Sequence, residues 1–406
     1  MKVSILMPSR NGAEFLEWSY NSIRKNQGNH IVEILVLDDN SDKDNTWEWC
    51  EKVMIEDPYF KAFRNTSSER LGISGGHKYL SDQATMDVIC HWHNDMYLTP
   101  GALDAVEKEL NLNQKTCVCL TRIEHSMGYQ PGPEKVIWDN APLEFNEWSE
   151  VSFLSDLPYL KQKWEGKTTK GHFAPYFISA AAYRELGSND TVTFPLQSRE
   201  DSDFGFRLVL AGIQTIQIPE FVFHFASRGN RRNKYETNTL NDNPVWVAHN
   251  EKATRNFIRK WQTLHLHDAQ LCPTPPERYN VKFILKNATL KLVELLEPWC
   301  DVMEVDIGIK EYINKEQPNT AFDLFKKFHL DPVPCSVTVH IDGDKFRGDD
   351  IIYIQNLSKV ITANLQIQNS NQLAPFGSML IGAVNIKDVT HTLIKVDDPE
   401  YKMRLK

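Results

Sequence analysis

A doubly wound α/β domain, its sheet parallel or mixed and covered by helices on both faces, followed by a smaller helical and α/β module, is the fold class this sequence predicts. Three observations lead there. From Val3 to Ile123 short apolar runs alternate with longer segments of helical spacing, the pattern of βαβ units. The 406 residues exceed what one hydrophobic core organises, so a domain of about 250 residues with something smaller behind it is expected. With 41% hydrophobic and 24% charged residues, the composition is that of a folded globular chain and excludes extensive disorder.

The expected strands are Val3 to Met7, Val32 to Leu37, Phe60 to Arg64, Val88 to Trp92 and Cys117 to Ile123. Between them Glu14 to Lys25, Thr46 to Ile55, Gly75 to Ala84 and Ala102 to Leu110 carry helical spacing, the last opened by Thr99, Pro100 and Gly101. Residues 124–172, rich in Trp, Pro, Gly and Glu without a period, read as loops and short elements over the sheet edge, where substrate contacts often lie. A second ordered block follows: a strand Ala174 to Ile178, helices Ala180 to Leu186 and Asp201 to Ala211, and strands around Gln214 to Ile218 and Phe221 to Phe225. The first domain is placed at 1–260. A Pro-rich link and helical segment at 261–330, helical to about Leu296, and a small β-rich module at 331–406, with Ser336 to Ile341 and Ile351 to Ile354 as strands, complete the expected organisation.

A net charge of −9 provides no overall field toward nucleic acid or an anionic membrane. The opening MKVSILMPSR has too short an apolar run for a signal peptide, and no stretch approaches the roughly eighteen apolar residues of a membrane span. Seven scattered cysteines without metal-ligand spacing suit a reducing compartment. A soluble, cytoplasmic protein with no membrane insertion is expected.

In doubly wound sheets ligands sit beyond the carboxyl ends of the strands. Pro8-Ser9-Arg10-Asn11-Gly12 follows the first strand as a turn whose amides suit a nucleotide, although most such turns only reverse the chain. Asp38-Asp39 closes the second strand. Paired carboxylates there accept hydrogen bonds from a base or ribose, while Ser41 or Asp42 caps the next helix as the plainer alternative; the two readings weigh equally. His93-Asn94-Asp95 follows the fourth strand, where an imidazole and a carboxylate one residue apart suit a divalent cation bridging two phosphates, or else form a solvated loop. Glu200-Asp201-Ser202-Asp203 opens a helix. Three carboxylates so close raise at least one pKa, as acid–base and metal sites do; the bland alternative is an acidic first helical turn. His224 stands in an apolar strand, where a lone His is more often a satisfied core residue. The basic tract from Arg228 to Lys234 shifts that balance toward a diphosphate cradle.

In this order and spacing, Met7 to Gly12, Val36 to Ser41, Leu71-Gly72-Ile73-Ser74-Gly75-Gly76, His93-Asn94-Asp95, Glu200 to Asp203 with Arg207 and Gly212, and His224 resemble the family 2 glycosyltransferases. The catalytic domain of that family has the nucleotide-diphospho-sugar transferase fold called GT-A. The resemblance covers roughly residues 1–230 and is silent on the rest. It implies an inverting, metal-dependent transfer of a hexosyl or pentosyl group from a nucleotide-diphosphate donor, a UDP-sugar first among the options, to an acceptor hydroxyl. Pro8, Ser9, Arg10 and Asn11 would line the nucleotide and Asp38 or Asp39 would meet the base. Arg70, Lys78, Asn94 and Arg228 would face the ribose or phosphates. Asp95, with His93 and His224, would hold Mn²⁺ or Mg²⁺. Asp201 would be the general base, paired with Glu200.

Two positions depart from the family pattern. His93 stands where the first Asp of Asp-x-Asp belongs, which removes a negative charge beside the metal and permits a preference for Mn²⁺; Lys78 stands where Asn is commoner. Nucleotidyl transfer on a related fold and non-catalytic nucleotide-sugar binding are the competing readings. A base at Asp201, across the pocket from the metal, favours sugar transfer. The acceptor is open among a glycan, a protein and a modified DNA base.

Overall fold

The computed structural model describes residues 1–110, 115–126, 132–164, 168–226, 242–331, 333–364 and 373–406. The chain divides into two compact units. The first is made of Met1–Thr191, Pro195–Ala248 and His267–Pro273, the second of Val192–Phe194, His249–Leu266 and Thr274–Lys406.

In the first unit β1 (Lys2–Ser9), β2 (Ile31–Asp38), β3 (Phe60–Arg64) and β4 (Val88–His91) alternate with α1 (Ala13–Asn26), α2 (Thr46–Glu56) and α3 (Gly72–Gln83). Then come β5 (Met96–Leu98), α4 (Ala102–Glu109), β6 (Thr116–Glu124), β7 (Lys135–Ile137), α5 (Glu150–Trp164), β8 (Tyr176–Ser179), α6 (Ala180–Glu185), α7 (Glu200–Leu210) and β9 (Gln214–His224). The strand order is β3-β2-β1-β4-β8-β6-β9-β5, with β7 paired to β6. This is the expected mixed, doubly wound sheet. Val3, Ile5, Leu6 and Met7 of β1 and Ile34, Leu35 and Val36 of β2 are fully buried, as strands covered on both faces must be. Leu16, Ser19 and Ile23 form the inward stripe of α1, and the Trp92 indole N–H donates to Ser19 Oγ at 2.8 Å.

Register builds the functional edge. Ser9 pairs with Asp38, Asp38 with Arg64, and Leu6 with His91, so each strand delivers its polar residues at one carboxyl edge. β8 runs antiparallel to both β4 and β6, which restores the direction of β6 and its parallel neighbour β9. Glu124 and His224, the last residues of β6 and β9, therefore reach the same edge as Ser9 and Asp38.

Two expectations are corrected here. Residues 150–164 are not loop but the fifteen-residue α5, whose buried Phe153, Leu157, Leu160 and Trp164 keep a helical period despite Pro158. The two short strands expected between Gln214 and Phe225 are one strand, β9, with a register shift at Leu120/Thr121 of β6. Trp138, Phe153 and Trp164 pack with Phe221, Phe223 and Phe225 in a buried cluster.

The second unit holds α8 (Pro244–Trp261) from His249 onward, then β10 (Val281–Lys286), α9 (Leu290–Leu296), β11 (Val302–Val305), α10 (Lys310–Glu316), α11 (Leu324–His329) and β12 (Val337–Asp342). It continues with α12 (Ile351–Gln355), α13 (Leu357–Ala363), β13 (Ala374–Phe376), β14 (Met379–Ala383) and α14 (Pro399–Lys402). Its sheet runs β11-β10-β12-β14-β13, and β10 pairs in parallel with both β11 and β12. Stretches 261–330 and 331–406, expected as separate pieces, thus share one sheet. The stretch read as helical up to Leu296 begins with β10, and Ile351 to Ile354, read as a strand, lies in α12. Local β propensity yields there to the packing of buried Ile354. No described helix is long and apolar enough to cross a membrane.

Candidate active site

At the carboxyl edge of β1 and β2, side chains expected at a nucleotide also tie loops together. Asn11, at φ 50°, accepts the backbone N–H groups of Asp42 at 2.9 Å and Lys43 at 3.0 Å. Asp39 accepts from the N–H groups of Gly72 (2.8 Å) and Leu71 (3.0 Å) and from the Asn65 amide (2.8 Å), with Arg70 Nε 3.5 Å away. Asp38 differs. One of its oxygens accepts Ser41 N–H at 3.0 Å; the other is buried with no hydrogen-bond donor among the described residues, only the Arg64 guanidinium at 3.3 Å. Burial pushes the Asp38 carboxyl up, against the opposing pull of Ser41 and Arg64. Of the two aspartates, Asp38 is the one with an acceptor to spare for a base or ribose.

Asn94 Nδ2 donates to Ser9 Oγ at 2.9 Å, and a Cβ on Gly12 would lie 2.6 Å from that nitrogen, so Asn94 rests on the turn after β1. Gly76 approaches Pro8 just as closely, since a Cβ there would lie 2.8 Å from the proline ring. Arg10 reaches Asp42 at 3.5 Å, and Lys78 pairs with Asp82 at 3.1 Å on the exposed side of α3.

His93, Asp95 and His224 come together beyond β4, β5 and β9, one ligand atom from each lying within 4.8 Å of the others. Asp95 immediately precedes β5, and β5 pairs with β9 through Met96 and His224. His224 Nε2 is 3.4 Å from Asp95 Oδ1, and its Nδ1 is 2.9 Å from Glu124 Oε1. Burial disfavours the His224 cation, yet Asp95 and Glu124 outweigh it and push the imidazole up to about 9. Burial, joined by the charge of His224, instead holds His93 down to about 4, as a neutral imidazole able to ligate. Asp95 is held below the usual carboxylate range because its neighbouring imidazoles overcome the cost of burial. Two imidazoles and one carboxylate, gathered together and partly buried, are a fitting donor set for a divalent transition ion, whose binding would displace the Nε2 proton of His224.

The turn into α7 is strained. Leu196, Ser198 and Arg199 all have left-handed backbones, with φ of 71°, 73° and 69°, a conformation that non-glycine residues hold at some cost. α3 braces it: Ser74 N–H donates to the Leu196 carbonyl at 2.9 Å, and a Cβ on Gly72 would lie 2.4 Å from Leu196 Cα. Behind the turn, buried Arg207 pairs with Asp203 at 2.8 Å and donates to the carbonyls of Leu186 and Ser188. This scaffold presents two unlike carboxylates. Asp201 is exposed, and its charge acts on His93. Glu200 has a buried oxygen without a hydrogen-bond partner among the described residues, and burial, then the nearby Asp201, pushes its carboxyl up to about 8.

Residues 4–179 match the sequence profile of glycosyl transferase family 2. This segment, less than half of the chain, carries the glycosyl transferase family 2 pattern. No curated protein matches the chain. Among solved structures, GalNAc-T7 with UDP, GalNAc and Mn²⁺ is similar at 17% identity and a TM-score of 0.44, covering 64% of this chain and 48% of that one. The mannosyltransferase PcManGT from Pyrobaculum calidifontis, in complex with GDP-Man and Mn²⁺, is similar at 15% identity and a TM-score of 0.41, covering 64% and 63%. The chain thus aligns with less than two thirds of either protein.

The family 2 match includes Ser9, Asp38, His93 and Asp95 and stops before Glu200, Asp201 and His224. Arg228 lies outside the described residues. Glu124 is the side chain at this edge that the sequence reading missed. Its signal was present: an acidic residue closing the apolar run of β6, the same kind of position that drew attention to Asp38.

Proposed function

We propose that the protein is an inverting, metal-dependent glycosyltransferase that moves a hexosyl or pentosyl group from a nucleotide-diphosphate donor, a UDP-sugar first, to an acceptor hydroxyl. The observation carrying this reading is the gathering of His93, Asp95 and His224 at the strand edge of a family 2 domain, with the exposed Asp201 near enough for its charge to act on His93. Asp38 would accept from the base or ribose, Ser9 and Asn94 would border the nucleotide, and Arg70 would face its phosphates. Arg10, Lys78 and Arg228 stay in the proposed binding set as further cations for the diphosphate. The three ligating side chains would hold Mn²⁺, or Mg²⁺ less readily given two imidazoles, and the ion would neutralise charge on the diphosphate. Asp201 would remove the acceptor proton as that oxygen attacks the anomeric carbon. Glu200, its carboxyl pushed up to about 8, would donate a hydrogen bond within the same site and leave the base role to Asp201.

The test is a panel of UDP-, GDP- and dTDP-sugars scored by thermal shift with and without Mn²⁺, followed by product analysis with glycan, protein and modified-DNA acceptors. One donor should raise the melting temperature only with the ion and should yield a nucleoside diphosphate. Pyrophosphate release from a nucleoside triphosphate, or binding without turnover on any acceptor, would overturn the assignment.

A further inference from the structure

We infer that Glu124 is the positioning residue of the metal site: its carboxylate fixes the tautomer and orientation of His224, so that Nε2 is the nitrogen offered to a divalent cation. The inference rests on the metal-dependent reading above and adds to it a residue that never touches the ion.

Geometry carries it. Glu124 ends β6 and His224 ends β9, and these parallel strands pair through Ile123 and Phe223 one residue earlier. The two side chains meet at 2.9 Å between Oε1 and Nδ1. Glu124 is itself held in place. Only 2% of its surface is exposed; Arg122 Nη1 lies 3.6 Å from Oε1 and Lys135 Nζ 3.5 Å from Oε2. Arg122 and Lys135, which can only donate, lie against its two oxygens, so Oε1 is placed as the acceptor in the contact with His224. Nδ1 of His224 must then carry the hydrogen. The remaining nitrogen, Nε2, faces Asp95 Oδ1 at 3.4 Å, inside the triangle of ligand atoms. Carboxylates placed behind ligating histidines in this way fix the ring and are typically worth about 10- to 100-fold in metal affinity.

The plainer role for Glu124 is a buried ion pair that holds β6 and β7 together and would exert only its charge on the site. The two roles predict opposite orders for two conservative variants. Glu124→Gln keeps an acceptor oxygen at the same reach and removes the charge. Glu124→Asp keeps the charge and withdraws the oxygen by one methylene. Mn²⁺ affinity of the full chain, read from the electron paramagnetic resonance signal of free Mn²⁺ without donor or acceptor, separates them. Circular dichroism checks that both variants are folded.

We expect Glu124→Gln to bind Mn²⁺ within about 3-fold of the unaltered protein and Glu124→Asp to bind about 10-fold or more weakly. The reverse order, equal affinity in all three proteins, or equal loss in both variants overturns the positioning role. Failure of the unaltered protein to bind Mn²⁺ overturns the metal site itself, and this inference with it.

Discussion

The Asp39 carboxylate accepts the backbone N–H of Gly72 at 2.8 Å and that of Leu71 at 3.0 Å, fastening the end of β2 to the start of α3. Because α3 also braces the turn before Glu200, one helix ties Asp39 to that turn.

Asp39→Ala should therefore cost stability even without nucleotide. Two backbone donors, one buried and one partly buried, lose a carboxylate acceptor, a loss on the order of 2–4 kcal/mol. Urea denaturation of the donor-free protein measures it. A midpoint equal to that of the unaltered protein would assign Asp39 to the ligand alone.

His93→Asp restores the second carboxylate of an Asp-x-Asp pair and replaces an imidazole with a hard oxygen donor. The variant should gain Mg²⁺ affinity relative to Mn²⁺ by about 10-fold. Calorimetric titration with each ion gives the ratio, and an unchanged ratio would remove His93 from the ligand set.

Asp201→Asn should keep donor and metal binding and lose transfer by roughly 10²- to 10⁴-fold, the usual contribution of a general base. Asp201 is exposed and its side-chain hydrogen bonds among the described residues go to the adjacent Ser202, so the variant should keep the fold, which circular dichroism verifies. Transfer at the unaltered rate would exclude Asp201 as the base.

Glu200 makes stability depend on pH. Burial, then Asp201, pushes its carboxyl up from an ordinary value of 4.5 to about 8, so between those pH values the native state binds a proton that the unfolded chain has released. The native state is therefore destabilised progressively as pH rises through this window, with the full loss reached above about 8. Glu200→Gln removes the titration. Its melting temperature should match that of the unaltered protein near pH 4 and exceed it by several degrees at pH 8. Parallel melting curves at all pH values would show that the carboxyl is not held protonated.

Much of the site was legible because its signals are local. The apolar runs of β1 and β2 end at Ser9 and Asp38, and a strand's carboxyl end in a doubly wound sheet is where ligands bind, so these residues could be named from position alone. The same reasoning reached His93 and Asp95, and the acidic start of α7 marked Glu200 and Asp201. Where local signals conflicted the reading failed: Pro158 and crowded aromatics obscured α5, and the Ile351 to Ile354 run has the composition of a strand but lies in a helix. By itself, then, the sequence determined the alternating α/β architecture and the identity of most candidate side chains. Only the tertiary structure decided which of them meet. His224 faces Asp95 because β9 pairs with β5, and Glu124 backs His224 because β6 pairs with β9. Asp39 was drawn to α3 rather than left wholly to a ligand because the backbone N–H groups of Leu71 and Gly72 fold onto it. The physical reason is that strand register and loop closure join residues far apart in the chain, and no short window of sequence contains both partners.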